Sequence, residues 1–307
     1  MIGIKDIASY VPKTTMSNLD LLDQFKIDDS FIRDKVGVIH RCIKSDTETT
    51  SDMASKALTR LLENNSLKSD EIQALVLVTQ NPDSNIPHSS ALVHSKCNLS
   101  SNCAVFDLSL GCSGYVYGLS VLQNFLQGNG LKTGVLLTCD PYSNIIDQSD
   151  KNTSLLFGDA ATATLLCSKP LFSIGSTLFG SFGQSSQAIV CKDSQLHMKG
   201  RDVFNFAAKT IPSHVMTLLE RSDLSLEDID KFFFHQGSRF IVETIAKRLN
   251  LELSKVPINL DNIGNTVSSS IPLLLEDSIN CNEFPRSLLC GFGVGLSWAS
   301  CLLFPES

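Results

Sequence analysis

Cys112 is the residue of this chain with the clearest chemical potential. It sits in Phe106-Asp-Leu-Ser-Leu-Gly-Cys112-Ser-Gly-Tyr-Val-Tyr-Gly-Leu119, an apolar run that breaks at small residues and resumes with helical spacing. The pattern predicts a strand, a tight turn and a helix whose first turn carries the thiol. A helix N-terminus presents unpaired N–H groups and positive dipole charge, which favour thiolate over thiol. A thiolate there is a nucleophile, and the N–H groups beside it can hold an oxyanion. The competing reading is a small buried hydrophobe, the commoner fate of a cysteine. Two later segments favour chemistry. His235 closes the apolar strand Phe232-Phe-Phe, and Asn265 lies in the loop Asp261-Asn-Ile-Gly264-Asn265-Thr266, ahead of the small residues Ser268 to Ser270. Taken singly, His235 reads as a strand-end residue and Asn265 as a turn residue. With Cys112 they make a workable set for acyl transfer, in which sulfur takes the acyl group while imidazole and carboxamide hydrogen-bond a second carbonyl. A papain-like hydrolase shows the same three types in the same order, so the triplet leaves the reaction class open.

The elements that must position these residues belong to a doubled chain. Leu61-Leu62-Glu63, with Leu67 and Ile72, recurs as Leu218-Leu219-Glu220 with Leu224 and Ile229, each match 157 residues on. The first copy ends an amphipathic helix marked by Ala54, Ala57, Leu58 and Leu61, and the second ends one marked by Phe204, Ala207, Ile211, Val215 and Leu218. An apolar strand follows each, at Ala74 to Val78 and at Phe232 to Phe234. Two related α/β halves are expected: 1–167 carrying the nucleophilic cysteine, and 168–307 carrying the histidine and asparagine. Continuous apolar runs such as Gly134 to Thr138, Ala163 to Leu166 and Leu288 to Gly291 suit strands buried on both faces. The polar stretch Gln184 to Asp202 reads as a loop or flap near the junction of the halves.

Bulk properties narrow the partners. A chain of 307 residues with 43% hydrophobic and 19% charged content can bury a large core. A net charge of -7 argues against general nucleic-acid binding, because few cations are available to displace phosphate counterions. No apolar run approaches the ~20 residues that cross a bilayer, and the first residues enter a strand with no signal pattern. The ten cysteines contain no C-x-x-C pair and the six histidines no H-E-x-x-H spacing. They are read as reduced thiols of a cytoplasmic protein with neither disulfides nor a metal site.

The motifs taken together resemble the β-ketoacyl-acyl-carrier-protein synthase III family of thiolase-type condensing enzymes, over essentially the whole chain. The resemblance rests on Ser9-Tyr-Val-Pro12, Asp107 to Gly114, Phe157-Gly-Asp-Ala160, Leu196-His-Met-Lys-Gly200 with Val203-Phe204, His235-Gln236, Gly264-Asn265-Thr266, and Phe292-Gly-Val-Gly-Leu-Ser-Trp298. It implies a five-layer αβαβα sandwich of two similar halves and a homodimer. It makes Cys112 the acyl acceptor, with His235 and Asn265 hydrogen-bonding the thioester carbonyl of malonyl-acyl-carrier protein. The backbone N–H groups of Cys112 and Val294 would hold the acyl oxyanion. The implied reaction is a decarboxylating Claisen condensation giving a 3-ketoacyl thioester, with acyl-CoA or acyl-carrier-protein thioesters as substrates and no further cofactor. Gly264 and Gly293 are expected to supply backbone angles or clearance that a β-carbon would forbid, and Phe157 to be core or a wall of the acyl channel.

Several positions depart from the family pattern. A tryptophan and an arginine that sandwich adenine in acetyl-CoA-primed members are matched by Phe31 and Lys35, and a further arginine by Lys151. Lysine lacks the flat guanidinium face that stacks. Ser238 stands where the family has an asparagine that holds the pantetheine arm. Ile86 matches the position that caps the acyl pocket from the dimer partner, and it is smaller than the phenylalanine of short-chain members. These changes imply a primer other than acetyl-CoA, longer or functionalised, in fatty-acid initiation or a specialised pathway. Lys247 and Arg248, extended by Arg239, form a basic helix face suited to an acidic carrier protein, with an ordinary solvated face as the plainer reading. Two alternatives stay open: an acyltransferase of the same fold that passes the acyl group to an oxygen or nitrogen without decarboxylation, and a non-catalytic partner subunit.

Overall fold

The structure, a computed structural model, describes residues 2–306. The strand Ala104–Leu108 lies at one edge, followed across the sheet by Ala74–Val78, Thr133–Cys139, Ala161–Cys167 and Gly3–Tyr10. The first three strands run parallel, and the last two reverse direction in turn. Beyond Gly3–Tyr10 come Phe172–Ser181, Ser297–Pro305, Ser287–Gly293 and Lys231–Phe234. Their directions repeat the same scheme, antiparallel twice and then parallel. The two runs of strands touch only where Gly3 and Ile4 pair with Ser173 and Phe172. The spatial and chain orders match, so the molecule is one motif used twice.

The second copy lacks one strand. The counterpart of Ala104–Leu108 falls at residues 256–260, which form no ladder. The Gln236 side chain does the holding there, donating to Pro257 O at 3.4 Å and accepting from Asn259 N–H at 3.2 Å.

Five layers follow from which helices touch which strands. Thr50–Asn65 covers the outer face of the first sheet, burying Met53, Ala54, Ala57, Leu58 and Leu61. Thr49 and Asp52 close its N-terminus as a capping box. Gly114–Gly128 and Ser270–Asn280 each contact strands of both sheets and form the middle layer. Tyr115, Val116, Leu119, Leu122 and Leu126 of Gly114–Gly128 are buried between the strands, while Asn124 and Gln127 towards its C-terminus are exposed. Gly114 and Gly118 let it approach closely, since a β-carbon there would lie 2.4 Å from Val78 and 2.6 Å from Leu136. Gly200–Arg221 and Arg239–Arg248 cover the second sheet's outer face. The helices and strands read from the repeat are all present.

The stretch Gln184 to Asp202 is not the loop expected from its polarity. Ile189–Lys192 and Gln195–Met198 pair as an antiparallel hairpin, turning through Asp193 and Ser194, both with positive φ. Ile189 and Leu196 are buried while Cys191, Lys192, Gln195 and His197 are exposed. Four-residue strands are too short for that alternation to stand out from a polar background.

Candidate active site

Cys112 lies in the turn between Ala104–Leu108 and Gly114–Gly128, two residues before the helix and not within its first turn. The strand Ser287–Gly293 of the other half runs directly against this turn. A β-carbon on Gly291 would come 2.5 Å from the Cys112 carbonyl oxygen, and one on Gly293 would come 2.6 Å from Sγ. The sulfur is buried, and burial pushes its thiol up to about 12, with the Asp140 carboxylate adding to the rise. The backbone N–H groups of Val294 and Cys112 itself act in the opposite sense on the sulfur. Desolvation thus opposes the thiolate that the helix terminus was expected to favour. The two N–H groups expected to form an oxyanion hole both point at the reacting sulfur.

His235 directly follows the strand Lys231–Phe234, its N–H bonded to Cys290 O at 2.9 Å. Burial drives its pKa down to about 3, so the ring is neutral. The ring stands edge-on to Phe292, with centroids 5.5 Å apart. Its Nδ1 lies 2.8 Å from Ser270 Oγ, and Nε2 has no protein partner among the described residues and faces the cavity.

Asn265 is fixed by its backbone, donating to Leu156 O at 2.8 Å and accepting from Gly158 N–H at 3.1 Å. Its Oδ1 accepts the Val267 N–H at 2.9 Å. With the oxygen engaged, the amide presents Nδ2–H as a donor to the cavity it lines. Gly264 reaches φ +88°, and a β-carbon there would sit 3.0 Å from Gly158 N, so both angle and clearance require glycine. Val267 holds φ +54°, a conformation costing a β-branched residue ~1–3 kcal/mol. Sequence reasoning gave no sign of that strain.

One cavity of about 260 Å³ is lined by Cys112, His235 and Asn265 together with Phe157, Phe292 and Val294. Tyr142 forms part of its buried wall, its ring tilted against Phe157 with centroids 4.9 Å apart and its hydroxyl donating to Gln80 Oε1 at 3.0 Å. Tyr142 carried no sequence signal, because only the fold brings the residue after Asp140-Pro141 against the phenylalanine.

Phe31, Lys35, Lys151 and Ser238 also line this cavity, on its exposed side. Lys35 Nζ lies 4.4 Å over the Phe240 ring and Lys151 Nζ 5.6 Å over the Phe31 ring. Phe240 stacks on Phe204 at 5.1 Å, an aromatic pair at the mouth that the sequence reading missed. Ser238 Oγ caps the helix Arg239–Arg248 by accepting the Ile241 N–H. Ile86 is 89% exposed and stands outside the cavity of its own chain. Arg239 is not a free cation, since Asp261 lies 2.7 Å away and Glu243 3.7 Å away. Lys247 and Arg248 are exposed and make no ion pair among the described residues. No cluster of three or more potential metal ligands occurs among the described residues, and no helix there is long and apolar enough to cross a membrane.

A buried thiol, a neutral imidazole and an oriented carboxamide share one cavity between the halves of a doubled α/β sandwich. That combination defines a thiolase-type condensing enzyme. The family model described as 3-oxoacyl-[acyl-carrier-protein (ACP)] synthase III matches residues 106–183, and that of its C terminal region matches residues 219–304. A beta-ketoacyl-[acyl-carrier-protein] synthase III of Lactococcus lactis subsp. cremoris is 32% identical, over 98% of each chain. A crystal structure of a 3-oxoacyl-(acyl-carrier-protein) synthase III superposes with a TM-score of 0.94 at 30% identity, covering 98% of this chain and 99% of that one. The priming beta-ketosynthase of the R1128 polyketide biosynthetic pathway superposes with a TM-score of 0.91 at 25% identity, covering 100% of this chain and 97% of that one. The chain belongs to the 3-oxoacyl-[acyl-carrier-protein] synthase III family.

Proposed function

We propose that this protein condenses a Cys112-bound acyl group with malonyl-acyl-carrier protein, releasing carbon dioxide and a 3-ketoacyl thioester. Cys112 sulfur attacks the incoming acyl thioester, whose carbonyl oxygen takes the Val294 and Cys112 N–H groups as its charge develops, and the thiolate that leaves takes up the proton Cys112 gives up. In the second half-reaction the malonyl thioester carbonyl accepts from His235 Nε2–H and Asn265 Nδ2–H. The C–C bond to the carboxylate breaks, carbon dioxide leaves, and the electron pair resides on the enolate. The enolate carbon then attacks the acyl-Cys112 carbonyl, and collapse of the tetrahedral intermediate expels the Cys112 thiolate, which is reprotonated. Neutral donors suit this step, because no net charge has to be desolvated in the buried site. No metal or organic cofactor enters the sequence.

The observation that carries the reading is the orientation of Asn265. Its oxygen is occupied by Val267 N–H, so a donor, which an enolate needs, faces the cavity. Transfer of an acyl group to an oxygen or nitrogen acceptor has less need of that donor. Radiolabelled carbon dioxide released from malonyl-acyl-carrier protein in proportion to 3-ketoacyl product supports the condensation. Acyl transfer to a nucleophile without carbon dioxide would overturn it.

The mouth supports a primer other than acetyl-CoA. No guanidinium is available there to stack on adenine, and Lys35 and Lys151 each sit over a phenylalanine ring. The exposed pair Lys247 and Arg248 is the proposed contact for an acidic carrier protein. The exposed Ile86 fits a role at the acyl pocket of a partner subunit in a homodimer. Free thiols at all ten cysteines suit a cytoplasmic enzyme.

A further inference from the structure

Enolate stabilisation by His235 requires the proton on Nε2, and the ring alone does not specify which nitrogen carries it. We propose that Ser270, a residue with no assigned role, is the positioning residue that sets this tautomer by donating its hydroxyl proton to Nδ1. The inference rests on the condensing function proposed above.

The hydroxyl has one proton and two candidate acceptors, His235 Nδ1 at 2.8 Å and Val267 O at 3.0 Å. Val267 O is already supplied by the backbone N–H of Ser270 itself. A lone pair of Oγ accepts the Gln236 N–H at 3.4 Å. With the proton directed to Nδ1 every group in this buried cluster is satisfied, and Nε2–H points into the cavity as a donor. In the opposite arrangement Nδ1–H and Gln236 N–H would both donate to Oγ, and the hydroxyl proton would go to Val267 O, which the Ser270 N–H already supplies. Nε2 would then present a lone pair to the enolate oxygen, which is repulsive. Ser270 sits at the start of the middle-layer helix Ser270–Asn280. That helix reaches strands of both halves, so the hydroxyl is held by the rigid centre of the molecule.

Removing the hydroxyl leaves Nδ1 to donate directly to the Val267 carbonyl, which is within hydrogen-bonding reach of the ring. Ser270→Ala should therefore move the His235 proton from Nε2 to Nδ1. It should lower carbon dioxide release about 10²–10³-fold, the usual effect of losing one oxyanion donor, while the rate of Cys112 acylation stays within about twofold. Ser270→Thr retains the hydroxyl and should recover much of the loss. The tautomer is read by nitrogen-15 NMR of imidazole-labelled protein, first in the wild type and then in the variants. Wild-type His235 protonated at Nδ1 would refute the proposal whatever the variants do, including if Ser270→Ala fails to fold. Equal losses in acylation and decarboxylation, or an unchanged tautomer in Ser270→Ala, would refute it as well. A wild type that holds the Nε2–H tautomer yet never releases carbon dioxide would instead sink the condensing function.

Discussion

Replacing Asn265 by aspartate isolates the donor on which the function depends. Asparagine and aspartate have nearly the same shape, and aspartate keeps an oxygen for the Val267 N–H now 2.9 Å away. Asn265→Ala would leave that buried N–H unpaired, at ~1–3 kcal/mol, beside a residue already strained at φ +54°. Asn265→Asp avoids that loss and removes only the NH2 group. The missing donor costs roughly 2.7–4 kcal/mol of transition-state stabilisation, or about 10²–10³ in rate. An ionised carboxylate facing an enolate would deepen the loss. The site is buried, however, and burial raises a carboxyl pKa, as it does for nearby Asp140 at about 6. Once protonated, the carboxyl becomes an O–H donor. The variant should therefore decarboxylate slowly at pH 8 and recover part of its activity on acidification, a rise the wild type lacks. The assay is single-turnover release of carbon dioxide from labelled malonyl-acyl-carrier protein on pre-acylated enzyme, alongside mass spectrometry of the Cys112 adduct. Full activity of Asn265→Asp at pH 8, or equal loss of acylation, would refute the division of labour between the two halves of the site.

Gly293→Ala would place a methyl group 2.6 Å from Cys112 Sγ, so acylation by any thioester should fall at least tenfold, while thermal melts show the fold retained. His214 and His235 are buried with pKa values lowered to about 4 and about 3. The unfolded chain then binds more protons below pH 6.5, and stability falls on acidification from that point. Asp140 works the other way between pH 6 and 3.8, since the folded state takes up its proton first. Comparing wild type with His214→Gln in urea melts isolates one histidine: the wild type should lose roughly 1.4 kcal/mol more per pH unit between 6.5 and 4, and parallel curves would contradict the assignment. Charge reversal at Lys247 and Arg248 should raise the KM for malonyl-acyl-carrier protein several-fold and weaken its salt dependence, with Cys112 acylation from a CoA thioester unchanged. The same reversal at Arg239, already paired with Asp261, should instead be read out as lost stability.

Much of the architecture was legible because it repeats. A helix and a buried strand leave local signatures, and two copies 157 residues apart made the doubling visible before any contact was known. The absence of an edge strand from the second copy was not legible, since side-chain bonds from Gln236 replace its ladder. The hairpin at residues 189–198 escaped for want of length.

Within the site, the chain by itself specified the reactive types: a thiol after a strand, an imidazole at a strand end, and a carboxamide in a glycine turn. Those are local facts, and local pattern carries them. Only the tertiary structure decided what state each group is in. The Cys112 thiol is pushed up because a strand of the other half helps bury it and the Asp140 carboxylate lies near. Asn265 is a donor because the N–H of Val267 takes its oxygen. Tyr142 and Phe240 entered the site with no motif to announce them, brought there by segments distant in the chain. Protonation and orientation depend on solvation and on hydrogen-bond partners, and both are set by what folds against a residue, which its sequence neighbours do not encode.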